Sequence, residues 1–234
     1  MMSRMNSHRL QLMFRDLKNR ETIHRMIKAI LFDFDGTIAP TLSCWRKAYE
    51  RVFLDHGIQF SNDGLSRYLF CNEERLDAQN AENVPGFSDR VYEFVTPCIL
   101  TTPVTPLLIE TILTAQSLRF GIASNSRSAL VKEYLRIHHI EEYFKIVVGA
   151  EGDIPCKPDP AMLHIAMNAL EVTATETLFV GDALTDMAAG RNAGVETLLF
   201  KHPQNDAFNN FCEKRRDQSN NIVSFDQLST HGYV

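Results

Sequence analysis

Five short apolar runs constrain this chain more than any other feature: AILF (29–32), FGIAS (120–124), KIVVGA (145–150), TLFVG (177–181) and TLLF (197–200). None alternates cleanly between apolar and polar residues, so each reads as a strand buried on both faces. Helical patterns fill the gaps. SRSALVKEYLRIHHI (126–140) sets Leu130, Val131, Tyr134, Leu135 and His138 at helix spacing. Asp159 and Pro160 supply an N-cap and a first-turn proline ahead of AMLHIAMNAL, and TDMAAGRNAG ends in Gly194, suited to terminate a helix. Buried strands alternating with helices predict an α/β fold, a Rossmann-like open parallel sheet with helices on both faces. A weaker pair, NIVSF then DQLST, closes it.

The spacing breaks once. About 80 residues separate the first strand from FGIAS, far more than a simple crossover needs. Within that interval Trp45, Ala48, Tyr49, Val52 and Phe53 form a helical stripe ended by Gly57, and 61–70 and 88–95 carry further helical patterns. A helix opening at Thr105-Pro106 returns the chain to the sheet. The expected organisation is an N-terminal extension (1–27), a core (28–42 and 103–234) and an inserted all-helical cap (43–102).

Composition excludes several function classes. With 44% hydrophobic and 23% charged residues and a net charge of −5, the chain reads as a soluble globular protein with no basic surface for nucleic acid. No apolar run approaches the ~20 residues of a membrane span. Five cysteines (Cys44, Cys71, Cys98, Cys156, Cys212) make an odd count without a C-x-x-C, which predicts free structural thiols and a reducing cytoplasm. The first 28 residues are net +5, leaving about −10 for the rest. They lack the apolar stretch of a secretory signal. An Arg-rich transit peptide and a start at Met26 are alternatives; a frayed or helical extension is the preferred reading.

The residues at the exit of each buried run point to chemistry. AILF leads into Asp33-Phe34-Asp35-Gly36-Thr37, FGIA into Ser124-Asn125, KIVVGAE toward Cys156-Lys157-Pro158, and TLFVG into Asp182, with Asp186 one helical turn on. Ligands of open parallel sheets sit at the carboxyl ends of the strands, so these side chains are expected to converge. Clustered carboxylates repel unless a cation neutralises them, and a hard oxygen-ligated Mg²⁺ suits the set. Asp33 can then be both ligand and nucleophile, and Asp35 can protonate a leaving alkoxide and later deprotonate water. Gly36 permits the sharp strand exit, and Thr37 is placed to orient Asp35 by a hydrogen bond. Ser124 and nearby amides can hold phosphoryl oxygens, and Lys157 supplies a cation. Each piece also has an innocent version: a strand-end aspartate forms turns, Ser124-Asn125 or Asp186 caps a helix, and Lys157 is a solvated charge.

DFDGT, SNS, KPDP and GDALTD in this order resemble the four motifs of the haloacid dehalogenase superfamily, in its phosphatase branch with a helical cap between the first two motifs. The resemblance spans about 200 residues. It implies Asp33 as nucleophile, Asp35 as acid/base, and Ser124 and Lys157 as phosphate and charge partners. Gly36, Thr37 and Asn125 join Ser124 and Lys157 as substrate-binding residues. Mg²⁺ would be held by Asp33, the Asp35 carbonyl and Asp182, with Asp186 in support. The implied reaction is hydrolysis of a small phosphorylated metabolite, phosphoglycolate first and sugar phosphates next, by a monomer or homodimer.

Two rivals stay open: a beta-phosphoglucomutase-like phosphoryl transfer, and a non-catalytic binding protein on the same scaffold. Asp35 argues against dehalogenation, since dehalogenases lack that second aspartate. The only lysine between Trp45 and Thr102 is Lys47, near the start of the cap, which disfavours Schiff-base phosphonate cleavage. Trp45 stands where the mutases are expected to carry histidine. Pro40-Thr41 and Ala183 depart from the usual Asp-Ser and Ser.

Overall fold

A computed structural model of the protein describes residues 27–62, 64, 65, 69, 85–201 and 221–234. Residues 1–26 of the expected N-terminal extension and half of the expected 61–70 helix lie outside the described residues. The elements run β1 (Ala29–Phe32), α1 (Leu42–Asp55), α2 (Phe87–Thr101), α3 (Leu108–Thr114), β2 (Arg119–Ser124), α4 (Ser128–Ile137), β3 (Phe144–Gly149), α5 (Ala161–Leu170), β4 (Thr177–Gly181), α6 (Leu184–Ala193), β5 (Glu196–Phe200), β6 (Asn221–Ile222) and α7 (Gln227–Thr230).

All five apolar runs are strands, and they form one parallel sheet in the order β3-β2-β1-β4-β5-β6. Both faces are covered, as the lack of alternation demands. Ile30 and Phe32 of β1 join Ile122, Val180 and Phe200 in one apolar cluster, while Ala29 and Leu31 point into the other with Ala123, Leu163 and Phe179. The weak NIVSF segment supplies the edge strand β6, with Phe225 stacked on Phe200 at 4.6 Å.

The strand order reverses at β1, with β2 on one side and β4 on the other. Outside the carboxyl ends of these two strands, the connections part to opposite faces and leave a crevice. The topology thus fixes where any site must lie.

Several elements differ in extent from the sequence reading. The returning helix begins at Leu108 rather than beside Pro106, because Thr105 is engaged elsewhere. Its N–H donates to Ile38 O and its hydroxyl to Thr37 O, both at 2.8 Å, tying the linker to the β1 exit loop. Helix α2 continues through Pro97 to Thr101. Burial of Val91, Val95 and Ile99 on one face outweighs the proline penalty of about 3 kcal/mol. Before α5, Pro160 takes the cap position itself, and Asp159 Oδ1 accepts the Ala161 N–H at 2.9 Å. Gly194 ends α6 at φ 70°, as expected.

The cysteine reading is corrected. Cys44 of α1 and Cys98 of α2 form a disulfide, with Cα atoms 5.7 Å apart, while Cys156 is free and exposed. Odd count and missing motif said nothing about this pair, because only the packing of α1 along α2 brings the two residues together. Among the described residues no helix is long and apolar enough to cross a membrane.

The bridge closes a loop of 54 residues, so removing it should destabilise the protein by about 2–4 kcal/mol. Denaturant unfolding of wild type and Cys98→Ser, each with and without reductant, checks this. Reductant is expected to shift the wild type alone, and identical curves for all four samples would show that the bridge contributes nothing.

Candidate active site

The ladder between β1 and β4 runs one residue beyond the strands, with Asp33 N–H donating to Val180 O at 2.8 Å. That bond holds Asp33 at the mouth of the crevice. Asp182 follows β4 directly, and Asp186 occupies the first turn of α6, where its Oδ2 accepts the Ala183 N–H at 2.9 Å. All three carboxylates are buried, and one oxygen from each lies within 4.8 Å of the others. Two glycines make the crowding feasible. A Cβ on Gly36 (φ 81°) would stand 2.2 Å from Asp182 Oδ2, and one on Gly181 would stand 2.5 Å from Asp186 Cγ.

Among the described residues, Lys157 is the only buried lysine or arginine. Its Nζ sits 2.6 Å from Asp33 Oδ1 and 2.7 Å from Asp186 Oδ1, and donates to Ala123 O at 2.9 Å. Asn125 holds the lysine from behind: its Oδ1 accepts the Lys157 N–H at 2.8 Å and its Nδ2 donates to Lys157 O at 3.5 Å. The Lys157–Pro158 peptide is cis. Burial works against the charge of Lys157, but Asp186 and Asp33 together hold its pKa above the usual lysine range. Asp33 is pushed well up by burial; Lys157 opposes this, and Asp186, Asp182 and Asp35 add to it.

Asp35 has a different setting. Its Oδ1 accepts hydrogen bonds from the Thr41 hydroxyl and the Trp45 indole N–H, both at 2.6 Å, and its Oδ2 accepts the Ser126 hydroxyl at 2.5 Å. Burial raises its pKa, and the bonds from Ser126, Thr41 and Trp45 oppose the rise. The sequence reading gave Thr37 the role of orienting Asp35. Thr41 does so instead, and the buried Thr37 hydroxyl has no hydrogen-bond partner among the described residues.

These groups floor a cavity of about 460 Å³. Asp33, Asp35, Ser124, Asn125, Lys157, Asp182 and Asp186 line it, whereas Gly36 and Thr37 do not. Ser124 is fully buried, and its Oγ accepts the Ser126 N–H at 3.0 Å. The opposite wall comes from α1, α2 and Leu69: Leu42, Trp45, Tyr49 and Tyr92, with Arg127 at the rim. Lys47 is exposed and takes no part. Of the wall and hydrogen-bonding groups, Thr41, Trp45, Tyr92 and Ser126 were missed as site residues. Their one available signal was the spacing of Thr41 and Trp45, one turn apart at a helix start.

Four buried or half-buried carboxylates face one buried lysine, and every donor in the triad is a carboxylate oxygen. Such a set fits a hard divalent cation.

Comparison with known proteins identifies the family. The family model "Haloacid dehalogenase-like hydrolase" matches residues 30–200, and the chain belongs to that family. Among curated proteins it is 28% identical over 183 residues to a phosphoglycolate phosphatase of Photorhabdus laumondii, covering 72% of this chain and 77% of the relative. It is 26% identical over 176 residues to the pyrophosphatase PpaX of Oceanobacillus iheyensis, covering 73% and 82%. Its fold matches that of a CbbY mutant of Rhodobacter sphaeroides solved with xylulose-1,5-bisphosphate, at a TM-score of 0.69 and 21% identity, covering 87% and 96%.

A cation held by the acidic triad should stabilise the fold. At a concentration one hundred times its dissociation constant, Mg²⁺ is expected to add about 2.7 kcal/mol. Thermal unfolding across a Mg²⁺ titration checks this, and the upward shift should be much smaller in Asp182→Ala. A wild type indifferent to Mg²⁺, Mn²⁺ and Ca²⁺ alike would rule out a divalent site.

Proposed function

We propose that the protein hydrolyses small phosphomonoesters in two steps through an aspartyl-phosphate. The observation that carries this reading is the pairing of two unlike carboxylates at the end of β1. Asp33 contacts the ammonium of Lys157, whereas Asp35 is held by three uncharged donors. Both line one cavity.

In the first step a carboxylate oxygen of Asp33 attacks phosphorus. The bond from phosphorus to the ester oxygen breaks, and that oxygen takes a proton from Asp35 and leaves as the alcohol. In the second step Asp35 takes a proton from water as the water oxygen attacks phosphorus, which frees Asp33 and releases inorganic phosphate. Lys157 and the Ser124 hydroxyl are assigned to the phosphoryl oxygens, where positioning and charge supply most of the catalysis. Asn125 acts through Lys157, whose backbone it clamps. Asp33, the Asp35 carbonyl and Asp182, with Asp186 in support, would hold a Mg²⁺ ion, which would supply positive charge to offset that of the phosphoryl group and the carboxylates.

The 43–102 segment is assigned as a cap that closes the cavity against bulk water. Phosphoglycolate and pyrophosphate, which figure in the names of the relatives, are the substrates to test first, followed by sugar phosphates.

Phosphate release from such a panel, with Mg²⁺ and with EDTA, tests the reading. Asp33→Asn should lower turnover at least about 10³-fold with no loss of folded structure by circular dichroism. A variant within tenfold of wild type would remove Asp33 as nucleophile. Undiminished release in EDTA would remove the metal.

A further inference from the structure

The grip on Asp35 is asymmetric. Both donors to Oδ1 come from the start of α1: Thr41 is its N-cap residue and Trp45 lies one turn on, so the two share a face of the helix. The donor to Oδ2, Ser126, belongs to the loop between β2 and α4. One oxygen is therefore held by α1 and the other by the sheet edge.

The donors also differ in kind. A hydroxyl can turn and accept a hydrogen bond, but an indole N–H can only donate. A proton on Oδ1 would confront the Trp45 N–H at 2.6 Å. Among the described residues, a proton on Oδ2 meets the Ser126 hydroxyl, which unlike an indole N–H can accept. The indole is itself fixed. Its ring stands edge-on to Tyr92 of α2, with centroids 5.4 Å apart. The Tyr92 hydroxyl accepts the Arg127 N–H at 3.0 Å, and the Arg127 guanidinium lies 4.0 Å over the Tyr92 ring. Since Arg127 adjoins Ser126, the contacts close a circuit from Asp35 through Trp45, Tyr92 and Arg127 to Ser126 and back to Asp35.

We infer that Trp45 is a positioning residue for proton delivery: its indole N–H reserves Oδ1 of Asp35, makes Oδ2 the proton-carrying oxygen, and ties that alignment to the seating of α1 over the sheet edge. The inference rests on the phosphatase reading and deepens it. During ester cleavage the Oδ2–H bond breaks as the leaving oxygen gains the proton and the electron pair of the P–O bond. Without the indole donor, Asp35 can turn and offer its proton away from that oxygen.

Such a role affects leaving groups unequally. An alkyl oxygen needs the proton as it departs, whereas p-nitrophenolate leaves readily without it. Trp45→Phe keeps an aromatic ring on the Tyr92 side and removes the N–H together with the five-membered part of the indole. The test compares kcat/KM of wild type and Trp45→Phe on p-nitrophenyl phosphate and on 2-phosphoglycolate, glycerol 2-phosphate and glucose 6-phosphate. The variant is expected to lose about tenfold more on the alkyl esters than on the aryl ester, chiefly in kcat. Equal losses on both classes would overturn the inference and leave Trp45 a packing residue.

A second measurement is independent of turnover. Trp45 is the only tryptophan in the chain, so intrinsic emission reports on its contact with Asp35. Asp35→Ala should shift the emission maximum by several nanometres, and an unchanged spectrum would overturn the clasp. A wild type that hydrolyses none of the esters overturns the phosphatase reading, while the emission measurement still decides the Trp45–Asp35 contact.

Discussion

The ammonium of Lys157, set between Asp33 and Asp186, is the contact on which the sheet edge depends. Each of these three charges is almost wholly removed from water, and an ion stripped of water without a partner costs several kcal/mol. Three separate connections must therefore reach one point for any of them to be tolerated: the exit of β1, the loop after β3 and the first turn of α6. Asn125, after β2, pins the Lys157 backbone, and Ala123 O takes a third ammonium proton. The ion pairs need not add net stability, since buried pairs often barely offset their desolvation. Their effect is on arrangement. A loop that strays leaves a bare charge behind, so the four strand ends are held in register with one another.

The same logic explains which parts of the site could be read from the sequence. Strands buried on both faces show as unbroken apolar runs, and charges at the ends of several such runs stand out because the topology gathers those ends at one place. Asp33, Lys157, Asp182 and Asp186 were legible for that reason, and strand order then brings them together. Thr41 and Trp45 were not, because their role depends on the angle at which α1 leaves the β1 loop. In sequence Trp45 looks like one more member of an apolar stripe with Ala48, Tyr49 and Val52. In space its polar edge is turned to Asp35. Along the chain Thr37 stands two residues from Asp35 and Thr41 six, yet it is the Thr41 hydroxyl that the turn brings to the carboxylate. The Cys44–Cys98 bridge was hidden likewise, since helix-on-helix packing carries no mark in a cysteine count.

Asp33 and Asp35 are separated by one residue, yet the fold gives them opposite surroundings. Period-two geometry around Phe34, whose buried ring packs edge-on against Tyr134 at 5.0 Å, leaves both carboxylates at the crevice. Asp33 then meets an ammonium and two further carboxylates, whereas Asp35 meets a hydroxyl and an indole N–H on one oxygen and a hydroxyl on the other. The ammonium beside Asp33 opposes the rise that burial and the neighbouring carboxylates impose on its pKa, and so favours the ionised form able to attack. Neutral donors, of which the hydroxyls can reverse direction, suit a carboxyl that must gain and lose a proton. In the proposed reaction the division of labour follows from these neighbours rather than from anything in the two side chains, which are chemically identical. Lys157 reaches Asp33 and Asp186 from one position, and Trp45 stands against Tyr92 while it holds Asp35, so the packing gives each of the two carboxylates its own neighbours.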